Sequence, residues 1–238
     1  MNRVALITGV GPGLGAALAR RFAREGFRVA LVARSSGFIT ELARELSSSG
    51  QSAMPLPADV GQPDEVEAAV AQARAELGPI GLLIHNASSS SGDGLLGTTA
   101  EQFEQSWRIA ALGAFLCARA TAPDMIGAGA GAMLFTGATS SVRGGGWLAF
   151  SSAKFALRGF VQSLARELWP QEVHVAHVLI DGLIGPAGGG GEMEQEAAAE
   201  PALDPDEIAR AYLHLAFQER SAWTLELDVR PYGEQFFV

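Results

Sequence analysis

Short apolar runs rich in β-branched residues alternate with longer amphipathic stretches along nearly the whole chain, and this alternation sharply limits what it can fold into. The runs 4–7, 29–32, 52–56, 80–84, 132–136, 173–180 and 224–229 read as strands. The stretches 15–25, 38–48, 63–77, 99–120, 153–168 and 205–218 carry apolar residues at helical spacing. Strands separated by helices join through right-handed crossovers and lie parallel. The pattern predicts an α/β fold: a doubly wound parallel sheet of about seven strands, flanked by helices. Asp204-Pro205-Asp206-Glu207 places an N-cap, a first-turn proline and a third-position glutamate at the head of the last helix. Gln62-Pro63-Asp64-Glu65 is a weaker version of the same signal.

A chain of 238 residues can bury a full core and fits one domain, 1–238, better than two. Its net charge of −9 argues against nucleic acid and anionic membrane as partners, since both need a basic surface. No uninterrupted apolar run reaches the roughly 18 residues of a membrane span. The N-terminus runs straight into a strand pattern without a leader architecture, so a cytoplasmic location is expected. A lone cysteine, Cys117, excludes an intramolecular disulfide and reads as a core thiol beside Phe115 and Leu116. His174 and His177 share a strand without Cys, Asp or Glu at ligand spacing, so no metal site is expected. Trp147, Phe150 and Trp223 read chiefly as packing residues.

Thr8-Gly9-Val10-Gly11-Pro12-Gly13-Leu14-Gly15 lies between the first strand and the first helix. Glycine permits the tight turn and lets backbone approach a pyrophosphate, and the following helix start offers unpaired N–H groups. Strand, turn and helix together predict a dinucleotide site. The second strand ends at Ala33 rather than at an acidic residue, and Arg34 follows. A guanidinium there suits a 2′-phosphate, so NADP(H) is favoured over NAD(H). A glycine-rich loop is expected at 186–203, where sheets of this type carry a segment over the ligand crevice.

With Thr8-Gly9-x-x-x-Gly13-Leu14-Gly15 stand Asp59-Val60 after the third strand and His85-Asn86-Ala87-Ser88 after the fourth. Ser152-Ala153-Lys154 follows the fifth. On these residues the chain resembles the short-chain dehydrogenase/reductase family over nearly its whole length. The resemblance implies a single NAD(P)-binding Rossmann-type domain. Asp59 and Val60 would meet the adenine, and Asn86 and Ala87 would line a ribose. Lys154 would hold the nicotinamide ribose, and Ile184 would contact the nicotinamide. Pairing through the 99–120 and 153–168 helices, into a homodimer or homotetramer, is also implied.

The departures are as informative. The family works with an Asn–Ser–Tyr–Lys group. Four residues before Lys154, where its tyrosine would stand, the chain has Phe150. Thirteen residues before that, at the serine position, it has Gly137, and the asparagine position holds Ala110 before Gly113. The Pro-Gly after the sixth strand reads Asp181-Gly182. Only Lys154 survives, so an atypical subgroup is implied. Phenylalanine has no O–H to exchange. Thr139, Ser140 and Ser141, in the loop after the fifth strand, are candidate substitute hydroxyls; Ser151, beside Phe150, is a poorer one. Two function classes stand side by side: an NADP(H)-dependent oxidoreductase of small carbonyls or alcohols with a nonstandard site, and a cofactor-binding pseudoenzyme acting as sensor or partner subunit. A non-redox lyase is a weaker third.

Overall fold

The structure is a computed structural model describing residues 1–185 and 202–233. Seven strands form one parallel sheet in the order β3-β2-β1-β4-β5-β6-β7. They are β1 (Val4–Thr8), β2 (Arg28–Ala33), β3 (Ala53–Pro57), β4 (Leu82–His85), β5 (Gly131–Thr136), β6 (Val173–Ile180) and β7 (Glu226–Val229). All register pairs run parallel, as in Leu6↔Ala30, Ile7↔Ile84 and Phe135↔His177. Strands β1, β4 and β6 are buried along their full length, which is why they read as nearly continuous apolar runs.

On one face lie α1 (Leu14–Arg24), α2 (Ser36–Ser48) and α8 (Pro205–Ala216), burying Phe22, Ile39 and Tyr212 against Ile7, Leu31 and Val178. The other face is covered by α3 (Pro63–Leu77), α5 (Ala100–Trp107), α6 (Gly113–Ala128) and α7 (Leu148–Leu168). There Val66, Cys117, Leu157 and Val161 pack on Leu83, Phe135 and Val175. Cys117 is a buried core thiol, and burial pushes it up to about 12. A short α4 (Gly94–Gly97) follows β4.

Two helices differ from their sequence boundaries. The stretch expected over 99–120 continues to Ala128, because nothing before Gly129 in the left-handed region stops it. It starts from a capping box in which Thr99 and Gln102 satisfy each other's backbone N–H groups. A π-helical turn, Arg108–Leu112, interrupts it between α5 and α6. A Cβ on Gly113, at the end of this turn, would stand 2.9 Å from Val60 Cγ2, so glycine sets how closely the helix approaches the loop after β3. By length and composition residues 100–128 could cross a membrane, but 56% of the most apolar window is buried inside the fold. Helix α7 begins at Leu148, five residues before the sequence boundary, with Trp147 as its N-cap after three glycines. Phe150 therefore lies on the same helix as Lys154, one turn earlier.

Candidate functional site

In a parallel sheet every strand delivers its carboxyl end to one edge, and crossovers to opposite faces leave a crevice there. A cleft of ≈ 1350 Å³ occupies that edge. At one end of it the chain leaves β1 and turns through Gly9–Gly13 into α1. Gly9 has φ +68°, and a Cβ on it would come within 2.6 Å of the Ala87 backbone. A Cβ on Gly15 would come within 2.5 Å of the Gly9 carbonyl oxygen. These two glycines are demanded by packing, and Gly15 acts from behind the turn without lining the cleft. Gly11 and Gly13 are different: a Cβ on either meets nothing within 4 Å, and both line the cleft. Helix α1 starts with Gly13 as its N-cap and no side-chain cap. The turn is thus a cradle left open on its cleft side, with the positive end of a helix behind it, and it fits a pyrophosphate.

The other predicted binding residues gather around this cradle. Leu14, Arg34, Asp59, Val60, Asn86 and Ala87 all line the cleft. Arg34 is exposed and makes no ion pair among the described residues. Asp59 Oδ1 accepts a hydrogen bond from the Gly61 N–H at 2.9 Å, and its own N–H donates to Glu65 at 2.7 Å. Asn86 donates to the Gly9 carbonyl at 3.0 Å and accepts from Thr136 Oγ1 at 3.0 Å, locking the ends of β1, β4 and β5 together.

Lys154 lines the same cleft. Its ammonium is buried and donates to the Thr136 carbonyl at 2.8 Å, and burial lowers it to about 8. Nζ also lies 5.3 Å from the Phe150 ring centroid, a cation–π distance. Thr136 is a hub that the sequence did not advertise. Its hydroxyl donates to Asn86, so at 2.7 Å the Tyr212 O–H donates to it in turn. Tyr212 itself is wholly buried, and burial raises its phenol above the ordinary range.

A profile of the short chain dehydrogenase family matches residues 3–197. The chain belongs to that family. A short-chain dehydrogenase from Rhodopseudomonas palustris has a crystal structure 37% identical to it, with a TM-score of 0.81, covering 96% of this chain and 98% of that one. L-sorbose reductase from Gluconobacter frateurii, solved with NADPH and L-sorbose, is 25% identical with a TM-score of 0.87 over 96% of this chain and 95% of its own. A probable galactose dehydrogenase of Rhizobium meliloti is 33% identical over 182 residues, 75% of this chain and 70% of the relative.

Where the family resemblance puts serine, asparagine and tyrosine, three different environments occur. Gly137 lines the cleft, and its missing side chain is replaced by a neighbour: His177 Nε2 lies 2.3 Å from where a Cβ would be. His177 is wholly buried, with Nδ1 3.4 Å from Glu226, and burial lowers it to about 4. Ala110 is buried inside the π-helical turn and does not line the cleft. That turn frees the Ile109 carbonyl, which pairs with His85 Nε2 at 3.2 Å while Thr8 Oγ1 pairs with Nδ1 at 3.0 Å. His85 is therefore a satisfied core residue, lowered by burial to about 3. Phe150 lines the cleft beside Trp147, which is exposed at its rim and does not pack in the core as its aromatic character suggested. Trp223 does pack, stacked on His174 with centroids 4.9 Å apart.

The hydroxyl candidates separate cleanly. Thr139 and Ser140 line the cleft. Ser141 caps its turn by accepting from the Ala138 N–H at 3.2 Å, and Ser151 is buried away from the cleft. Thr139 Oγ1 donates to Asp181 Oδ1, and Asp181 is in turn ion-paired with Arg230. The sequence marks Asp181 but carries no signal that joins it to Arg230, which lies beyond a different strand. Ile184 lines the cleft and bridges to Leu203, the far end of the expected 186–203 loop. Residues 186–201 of that loop lie outside the described residues.

Proposed function

We propose that this chain binds NADP(H) in the cleft and uses it as an oxidoreductase of a small carbonyl or alcohol, with an atypical set of proton-handling groups. The observation that carries this reading is that one cleft is lined both by the open Gly11–Gly13 cradle and by the buried Lys154 ammonium. The cradle would take the pyrophosphate, and Lys154 would take the nicotinamide ribose hydroxyls. Asp59 and Val60 would face the adenine, Asn86 and Ala87 a ribose, and Ile184 the nicotinamide. Bound there, the cofactor would supply hydride transfer. The tyrosine, serine and asparagine of the family group are absent from Phe150, Gly137 and Ala110, and the absence of a positioned acid costs about 10²–10⁴ in rate. The named relatives are dehydrogenases and reductases, which lends no support to a pseudoenzyme. Copies of the chain would pair through the α5–α6 and α7 faces, where Phe103, Trp107, Phe115 and Phe155 are exposed.

Calorimetric titration with NADPH and NADH tests the cofactor half. Micromolar NADPH binding is expected, and no binding of either nucleotide would overturn the reading. Arg34→Ala is expected to weaken NADPH binding by roughly 10- to 100-fold, the worth of a charge-assisted hydrogen bond, while leaving NADH nearly unchanged. An equal loss for both nucleotides would remove Arg34 from the 2′-phosphate. Oxidation of NADPH over a panel of small aldehydes and ketones tests the chemistry.

A further inference from the structure

Two residues far apart in the sequence meet at the wall of the cleft. Where the family carries Pro-Gly after β6, this chain carries Asp181-Gly182, and a tail residue, Arg230, follows β7. The Asp181 backbone N–H donates to the Val229 carbonyl at 3.0 Å, which brings the ends of β6 and β7 together. Arg230 then pairs with Asp181 Oδ2 and, through Nε at 2.8 Å, with Asp228. Both side chains of the Asp181–Arg230 pair are only 9% exposed. Pro231 lies over Gly182, where a Cβ would come 3.2 Å from its ring. The remaining Asp181 oxygen, Oδ1, receives the Thr139 hydroxyl. Asp181 and Thr139 both line the cleft, as do Lys154 and Phe150.

The direction of these hydrogen bonds decides what the pair can do. The Thr139 hydroxyl spends its one proton on the Asp181 carboxylate. What Thr139 turns toward the cleft is a lone pair. That suits a hydroxyl donor, and a ketone oxygen would find no proton there until Asp181 held one. A threonine hydroxyl alone is a feeble base; tied to a carboxylate it can hand a proton on.

We propose that Thr139 and Asp181, held by Arg230, form the acid–base pair for the reacting oxygen, and that the substrate the site favours is an alcohol. The inference rests on the cofactor reading above. In the oxidative direction the substrate O–H donates to Thr139 Oγ1. The carbinol C–H bond breaks, and its electron pair goes to the oxidised nicotinamide dinucleotide as hydride. The C=O bond forms as the O–H bond breaks, the alcohol proton passes to Thr139 Oγ1, and the proton of Thr139 passes to Asp181 Oδ1. The products are the carbonyl, the reduced dinucleotide and a protonated Asp181, which returns its proton to water. Reduction runs the same steps backward.

The test uses trifluoroethanol as a hydroxyl probe, titrated calorimetrically into the protein saturated with NADP⁺. Thr139→Val is expected to weaken trifluoroethanol binding roughly three- to tenfold, the value of one hydrogen bond, with NADP⁺ affinity unchanged. Thr139→Ser is expected to restore it. Turnover of alcohols by Thr139→Val and by Asp181→Asn should fall about 10²–10⁴-fold, with Thr139→Ser within about tenfold of the parent. Wild-type trifluoroethanol affinity in Thr139→Val would overturn the proposal, and so would undiminished turnover in both variants. A parent protein that binds no NADP⁺ would instead overturn the cofactor reading, a distinct and separately visible failure.

Discussion

Placing serine at Gly137 and tyrosine at Phe150 together is expected to yield a less stable protein with little gain in activity. The serine has nowhere to go. A Cβ at position 137 would lie 2.3 Å from His177 Nε2 and 2.6 Å from its Cε1, closer than real Cβ atoms approach anything. The imidazole cannot easily give way, because its ring is wholly buried and its Nδ1 faces Glu226, which Arg158 grips at 2.7 and 2.9 Å. Overpacking of this kind costs about 1–3 kcal/mol. In a chain of this length each kcal/mol lowers Tm by about 2–4 °C.

Adding His177→Asn should reverse the outcome. The smaller side chain vacates the volume next to position 137, while Glu226 keeps its bidentate partner in Arg158. The triple variant is expected to recover most of the lost Tm. With a phenol four residues before Lys154 and a serine that now fits, it should reduce carbonyls about 10²–10⁴-fold faster than the double variant. Thermal unfolding and NADPH oxidation, measured on all three proteins, check this. A double variant that melts with the parent would show that His177 does not exclude the serine. Glycine at 137 and histidine at 177 fill one volume between them, so a larger side chain at 137 cannot be added alone without cost.

Much of the fold could be read from the sequence because burial on both faces of a parallel sheet turns each strand into an apolar run. Val173–Ile180 was legible to the residue for that reason. Helix α7 was not, since Leu148–Ser152 follows a run of glycines and mixes small, apolar and polar residues without helical spacing. The cradle was legible too, except for the division of labour within it. Only coordinates separate Gly9 and Gly15, which neighbours crowd, from Gly11 and Gly13, which nothing crowds. The π-helical turn at Arg108–Leu112 left no sequence signal, although it accounts for the hydrogen bond that makes His85 a core residue. The polar links that matter most were the least visible. Thr139 to Asp181 and Asp181 to Arg230, like the close approach of His177 to Gly137, join different strands, 40 or more residues apart in sequence. Periodicity carries no information about such contacts.

Acidification is expected to destabilise this protein from about pH 6.5 downward, before most of its carboxylates take up protons. The cause is that burial disfavours the charged form of three histidines. His85 is lowered to about 3, first by burial and then by repulsion from Lys154. His177 is lowered to about 4, again mainly by burial, with Glu226 opposing and Lys154 and Arg158 adding to the effect. His174 is lowered by burial against its hydrogen bonds to Thr224 and Leu215. In the unfolded chain each would titrate at about 6.5. Folded-state values below the unfolded ones mean that the stability is fully present above pH 6.5 and is lost as pH falls toward 4 and then 3. Each group contributes a slope of about 1.4 kcal/mol per pH unit, so His85 and His177 alone give about 3 kcal/mol per unit. By about pH 4 the two remove about 6 kcal/mol, which is all of a native stability near the low end of the usual range of about 5–15 kcal/mol.

The alkaline side has opposing contributions. Lys154, lowered to about 8, adds stability as pH rises above that value, whereas Cys117, raised to about 12, and Tyr212, also raised, withdraw it once their unfolded counterparts ionise. A plateau between about pH 7 and 9 follows. Urea unfolding at a series of pH values measures the profile. His85→Leu should lower stability at pH 8 by removing two buried hydrogen bonds, yet flatten the acid slope by about 1.4 kcal/mol per unit. A parent protein equally stable at pH 7 and pH 5 would mean that these imidazoles take up protons without unfolding, and the buried-neutral assignment of His85 and His177 would fail with it.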